Sequence, residues 1–404
     1  MKSVMKGVTL EKMASYVAFF CGLYVLLPFK VKPLIVFVFF IWSLFYIRKN
    51  EIKKKVNLKT LVLASTFFLI YAVSLLFSEN IQKGITVLVR CIPIVAIPLG
   101  YLFLTHDARI QFNQIFKKTF IIAASIYSCL VYFYLFQLGY FSQKHDLFYC
   151  YSFITYEFWG FNEHPIYLSL FFSVALFFIL MQGFKSKIAN AILFLIIISG
   201  LLILARKGVI VAFFVLAGVF VVCTSDRKQT LRLVLIFSTL FLLSLSVAEI
   251  RGRFLEVFDS SKVINNKETS SGIRYILWST SQKAIENSNY LGVGVGDVQK
   301  VLSHELARDG YTVLAKENYN AHNQYLQIGI ATGIFGIVLY VLSLGCILLD
   351  FIKKQNIEAV IMLLFFMLTF LFESVLERQN GIILYSFVIC MQLYTSKCGK
   401  RTLQ

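Results

Sequence analysis

Long apolar runs with few charges follow one another along most of this chain, and they limit its fold more than any other feature. Crossing a bilayer takes about 20 mostly apolar residues. In the hydrocarbon layer every backbone polar group must be paired internally, so runs of this length are read as helices. Twelve candidate spans can be marked: 13–29, 31–47, 58–77, 85–104, 118–138, 165–182, 188–204, 208–223, 231–248, 324–349, 356–372 and 381–396. The first two are joined only by Lys30-Val31-Lys32, so they fit either two spans or a re-entrant pair. Composition agrees. The chain of 404 residues is 58% hydrophobic and 15% charged, against about 25% charged in soluble domains. The expected fold class is all-α: a polytopic integral membrane helical bundle with about twelve transmembrane helices and one large extracytoplasmic loop.

A net charge of +18 is also what a nucleic-acid-binding protein carries. The basic residues instead gather between spans, in "RKNEIKKK" (48–55), "FKSK" (184–187), "SDRK" (225–228), "KK" (353–354) and "KCGKR" (397–401). Cytoplasmic loops carry such an excess. It places both termini inside, and no nucleic-acid partner is expected. Lys2, Lys6 and Lys12 precede the first run, and no small-residue cleavage site follows it, which reads as a retained signal-anchor. Of the eight cysteines only Cys150 falls in an expected outer loop, so neither a disulfide framework nor a CxxC metal site is indicated.

The organisation is then 1–248 with transmembrane helices one to nine, 249–323 as the extracytoplasmic loop, and 324–404 with helices ten to twelve and a cytoplasmic tail. A second, medium outer loop is expected over 139–164. The long loop balances nine Lys and Arg against nine Asp and Glu. Within it "SSGIRYILWSTSQKAIENS" (270–288) puts Ile273, Ile276, Leu277, Ala284 and Ile285 on one helical face. Ser270 or Ser271 would cap it, and an amphipathic helix lying over the outer membrane face is expected. A loop of such length is usually functional.

Several polar residues stand at the outer ends of spans. His322 precedes the tenth span, where the positive end of a helix would keep its ring neutral, as a base requires. Arg206 and Lys207 occupy the turn in "ILARKGVIV" (202–210). There they either snorkel to lipid phosphates or form an anion site. Arg274 opens the amphipathic helix, and Arg90 lies inside an apolar run. Glu163 and His164 precede Pro165 in "FNEHPIYLS" (161–169), which suits a helix start. "GVGVGD" (292–297) lacks the G-x-G-x-x-G spacing and any βαβ surroundings, so it reads as a turn that permits close backbone approach to a ligand. There is no Walker motif and no HExxH, and the outer acidic residues are scattered.

His322-Asn323, nine residues, Gly333, two residues and Gly336 resemble the signature of the O-antigen ligase superfamily. That signature is a His, then Asn, Ser or Gln, nine residues, Gly, two residues, then Gly, Thr or Tyr. The superfamily also includes O-antigen polymerases and protein O-oligosaccharyltransferases. The long outer loop before the signature, Arg206 at an earlier outer turn, and Arg274 with Trp278 ahead of "LGVGVGD" strengthen the likeness. The resemblance implies a metal-independent, inverting glycosyltransferase without a cofactor, at the periplasmic face of the bacterial inner membrane. Its donor would be a glycan on undecaprenyl diphosphate. Its acceptor would be lipid A core, a growing glycan or another hydroxyl. His322, Arg206 and Arg274 would be catalytic, while Lys207, Arg90, His164, Asn323 and Trp278 would bind substrate. Ligase and polymerase share these features. A transporter or flippase is the reading from a different class, but it would place polar residues at mid-depth, often within repeated halves.

Overall fold

The computed structural model describes residues 2–50, 58–156, 161, 163–226, 239, 242, 251, 252, 255 and 269–395. Every extended element among them is helical: α1 (Lys2–Gly22), α2 (Lys32–Asn50), α3 (Leu58–Ser74), α4 (Ile81–Cys91), α5 (Pro93–Phe103), α6 (His106–Gln137), α7 (Leu147–Tyr156), α8 (Pro165–Gln182), α9 (Lys187–Ile203), α10 (Lys207–Thr224), α11 (Ser270–Asn287), α12 (Val298–Arg308), α13 (Thr312–Lys316), α14 (Gln324–Lys353), α15 (Ile357–Thr369) and α16 (Gln379–Thr395). The fold is all-helical, as expected.

Six helical stretches are long and apolar enough to cross a membrane: Leu58–Phe77, Ile81–Phe103, His106–Gln137, Pro165–Gln182, Lys207–Thr224 and Gln324–Lys353. Lys12–Leu26, Lys187–Ile203 and Ile357–Thr369 are shorter apolar helices. The expected count of about twelve spans is thus not confirmed. Alpha-9 nearly coincides with the expected run 188–204 and ends just before Ala205, which takes a left-handed conformation (φ 50°). The expected span over 231–248 lies outside the described residues apart from 239 and 242.

α8 and α16 are apolar almost all round and buried along nearly their whole length, as befits helices at the centre of a bundle. Phe39, Phe112, Phe116 and Phe387 stack between them and the outer helices. Conversely, Phe37, Phe45, Leu69, Val73, Val215 and Leu342 are exposed on the outer helices. That is the apolar surface a lipid-facing bundle presents.

Three segments carry detail beyond the sequence reading. Segment 105–117, expected as an inner loop, continues into the 32-residue helix α6, capped by Thr105, whose hydroxyl accepts from the Ala108 N–H. At 1.5 Å per residue, that helix is about 48 Å long and outreaches a hydrocarbon core of about 30 Å. Its first turns are held by Arg109, which donates to the carbonyls of Tyr101, Leu102 and Tyr394 and so closes the ends of α5 and α16. The expected span 85–104 falls on the candidate span Ile81–Phe103, within which the helix turns at Ile92 and restarts at Pro93 as α5. The medium outer loop contains α7, started by Asp146, whose carboxylate accepts from the Tyr149 N–H.

The described part of the long loop, 269–323, packs onto the bundle. α11 is capped by Thr269 rather than Ser270 or Ser271; the Thr269 hydroxyl accepts from the Gly272 N–H at 3.1 Å. Ile276, Leu277, Ala284 and Ile285 are buried. They lie against α14 and α12 instead of resting on lipid.

Candidate active site at the outer ends of α10, α11, α14 and α15

Three chain segments converge where α14 begins. Asn323 caps α14, its side-chain oxygen accepting from the Tyr325 and Leu326 N–H groups while its amide donates to the Leu371 carbonyl. The Gln324 N–H donates to the Phe370 carbonyl, and the Gln324 side-chain oxygen accepts from the Leu376 N–H. The short loop between α15 and α16, residues 370–378, is thereby laced to the start of α14. That lacing carries Glu373 up to His322.

His322 adopts a left-handed backbone (φ 44°). Its N–H donates to the Asn320 side chain and its carbonyl accepts from the Trp278 indole N–H. Its ring Nδ1 lies 2.9 Å from Glu373 Oε2. Glu373 is buried. Burial by itself would raise its carboxyl, but the hydrogen bond to His322 and the Arg274 guanidinium hold it down at about 2. An ionised carboxylate only accepts, so Nδ1 is the donor, and in the neutral ring Nε2 carries the lone pair. The sequence argument rested on the helix end acting on His322. The structure adds a carboxylate that fixes which nitrogen is bare.

Arg274 reaches the same carboxylate, with 3.9 Å between its guanidinium and Glu373 Oε2. It also donates to the Phe372 carbonyl and to the Ser270 hydroxyl. Arg206 precedes α10 with its guanidinium 5.1 Å from the Tyr151 ring of α7. Lys207 donates to Ser271, tying α10 to α11. Arg206, Lys207, Arg274, Phe372 and Glu373 line one small, open cleft. His322 hydrogen-bonds the Glu373 wall of that cleft.

His164 caps α8 with its own ring, Nδ1 accepting from the Ile166 N–H. Burial, and after it the neighbouring Arg206, push this imidazole down to about 3. It therefore stands neutral beside the cleft. Arg90 is placed elsewhere: it donates to the Glu377 carbonyl, in a cluster where Tyr71 also bonds the Glu377 carboxylate. Asn323 and Trp278, expected as substrate contacts, direct the polar bonds just described at the backbone that carries His322 and Glu373.

The glycine turn has a structural role. The N–H groups of Val293 and Gly294 donate to the carbonyls of Ile330 and Ala331, and Ile334 N–H donates to the Tyr290 carbonyl. This is possible because α14 breaks at Gly333 (φ 67°, ψ −168°), a conformation essentially confined to glycine. Farther along the turn, Gly294 (φ 83°) passes so close to Ser78 that a Cβ would lie 2.6 Å from the Ser78 backbone. Asp297 accepts from the Glu79 and Asn80 N–H groups. The close approach read from the sequence is thus between backbone and backbone; no ligand is needed to explain it.

Residues 191–341 match the family described as O-antigen ligase. That match, over rather more than a third of the chain, supports the resemblance to the O-antigen ligase superfamily. Comparison with curated proteins finds no match. The stretch matched to the O-antigen ligase family includes Arg206, Lys207, Arg274, Trp278, His322, Asn323, Gly333 and Gly336. It ends before Glu373, the site residue that sequence reasoning missed. The available signal was a short outer loop, "ESVLERQN" (373–380), carrying two glutamates and an arginine between two apolar runs.

Proposed function

We propose that this protein moves a glycan from undecaprenyl diphosphate to a hydroxyl acceptor at the periplasmic face of the bacterial inner membrane, in lipopolysaccharide or surface-polysaccharide synthesis. The observation that carries this reading is the series of Arg274 ion-paired with Glu373 and Glu373 hydrogen-bonded to His322, against a cleft that also holds Arg206. Glu373 accepts the hydrogen bond from Nδ1–H, so Nε2 is the base. The acceptor O–H proton passes to Nε2 while its oxygen attacks the anomeric carbon. The bond from that carbon to the diphosphate oxygen breaks on the opposite side, and configuration inverts. The electron pair leaves with the diphosphate, and its negative charge meets Arg206 and Arg274. Lys207, one turn position beyond Arg206, adds positive charge to the same wall.

The position of these groups favours transfer over transport. Arg206 precedes α10, Arg274 lies in the first turns of α11, His322 precedes α14 and Glu373 follows α15. They gather at helix ends, where a lipid-linked donor could present its head group while its chain stays in the bilayer. A transport pathway would call for them at mid-helix.

Complementation of a deletion strain tests the proposal. Wild type should restore long surface glycans, and His322→Ala at equal membrane levels should leave glycan on the lipid carrier. Chains of normal length on the carrier would mean a ligase, and single repeat units a polymerase. Full restoration by His322→Ala would refute the proposal.

A further inference from the structure

The chemistry above needs an acceptor delivered to His322 Nε2, and the cleft of cations lies on the Glu373 side of the ring. Another face of the same histidine is lined differently. The Tyr319 ring stands 5.8 Å from the His322 ring, at 51° to it. Two left-handed residues, Asn318 (φ 53°) and His322 (φ 44°), fold the strip 317–322 so that these two rings lie side by side. The strip is pinned from α12, where Gln299 donates to the Tyr319 carbonyl at 3.0 Å, and Asn320 accepts the His322 N–H. Tyr319 is therefore presented by a held backbone.

Tyr319 has two further neighbours. The Glu317 carboxylate and the Tyr156 hydroxyl both act on its phenol, which burial, and after it Glu317, raise above the ordinary range. Tyr156 ends α7 and is 72% exposed. Thus an aromatic face, a second and open aromatic side chain, and an accessible carboxylate stand together beside the base.

Lone tyrosines at a membrane surface are explained by their amphipathic rings. That explanation does not call for a second tyrosine, a carboxylate and a histidine grouped with them. A pyranose has an apolar face of C–H bonds and an edge of hydroxyls. The negative face of an aromatic ring attracts the first, and a carboxylate accepts from the second. A diphosphate would be repelled by Glu317, and an aliphatic chain would leave it without a partner.

On the transferase reading given above, we propose that Tyr319, Tyr156 and Glu317 form the acceptor subsite. The acceptor is a sugar residue whose C–H face stacks on Tyr319, with its attacking hydroxyl turned toward His322 Nε2. A protein serine or threonine would gain nothing from the stacking surface.

The test uses the full-length protein in lipid nanodiscs. The probe is a pool of glycan fragments released by mild acid from the host's own cell envelope. Saturation-transfer NMR reports which ring C–H protons touch the protein, and transfer assays with the same fragments give acceptor KM. Wild type and Tyr319→Phe should give similar transfer to the sugar ring protons. Tyr319→Ala should weaken fragment affinity and raise acceptor KM by about tenfold, with donor KM unchanged, the scale of losing one aromatic contact. Tyr156→Ala, at an open position that does not endanger folding, should raise acceptor KM in the same direction. Binding and acceptor KM in Tyr319→Ala within about twofold of wild type would overturn the subsite, as would absence of saturation transfer to wild type. A Phe variant as weak as the Ala variant would also overturn it, because stacking would then not be the cause. His322→Ala separates the two layers. If it transfers normally, the transferase reading fails; if it is inactive while Tyr319→Ala is unaffected, only the subsite fails.

Discussion

Replacing Gly333 with alanine should cost more than almost any other single methyl group added to this chain. At φ 67° and ψ −168° an L-residue is strained, at about 1–3 kcal/mol. The added Cβ would stand 2.1 Å from the Tyr290 carbonyl oxygen and 2.6 Å from the Leu291 carbonyl carbon. Both are backbone atoms, so no side chain can swing aside. Relief requires the 290–294 turn to lift, which loosens the bonds from Val293 to Ile330, from Gly294 to Ala331 and from Ile334 to Tyr290. At about 1 kcal/mol each, these bring the expected loss to about 4–6 kcal/mol. A domain of roughly 150–250 residues shifts its Tm by about 2–4 °C per kcal/mol, and halving that for a longer chain gives roughly 5–10 °C. The assay is thermal unfolding in detergent, with Gly345→Ala as control. Gly345 lies on the same helix with nothing within 4 Å of its would-be Cβ, and alanine there should be neutral or stabilising by up to about 1 kcal/mol. Because α14 carries His322 at its start, transfer should fall with the Gly333 variant as well. Equal Tm values for the two variants would refute the account of the kink.

Other consequences can be checked in the same preparations. Glu373→Gln removes the carboxylate that fixes the His322 tautomer, so kcat should fall at least about 100-fold; a variant with wild-type turnover would remove Glu373 from the mechanism. Lys32 and Glu163 form a fully buried ion pair completed by Asn380. Lys32→Met should therefore destabilise by about 3–5 kcal/mol, and Lys32→Met with Glu163→Leu should recover most of it, because the stranded charge is gone. That is read from unfolding temperatures of single and double variants. His164 is lowered from 6.5 to about 3 and Glu373 from 4.5 to about 2. Both folded values lie below the unfolded ones, so their stabilisation is complete above pH 6.5 and is lost as pH falls toward 2 to 3. His164→Gln should flatten the Tm profile between pH 6.5 and 4.5; an unchanged slope there would contradict the burial of a neutral imidazole.

The amino-acid sequence determined the helical class, the apolar runs, the amphipathic helix with Arg274 in its first turns, and the positions of Arg206 and His322 at span ends. Those features are local: they follow from the length and period of apolar stretches and from charges at their edges. A twelve-residue spacing could also mark Asn323, Gly333 and Gly336 as a unit, but not say what each does. The tertiary structure decided that. Asn323 is a cap, Gly333 is a kink that accepts a turn from the outer loop, and Trp278 holds the His322 carbonyl. It also supplied Glu373, 51 residues from His322 in the chain, and Glu163, 131 residues from the Lys32 it neutralises. Pairings over such separations leave no periodic trace. A charge shows in sequence as a cost, and only the folded chain shows which opposite charge offsets it.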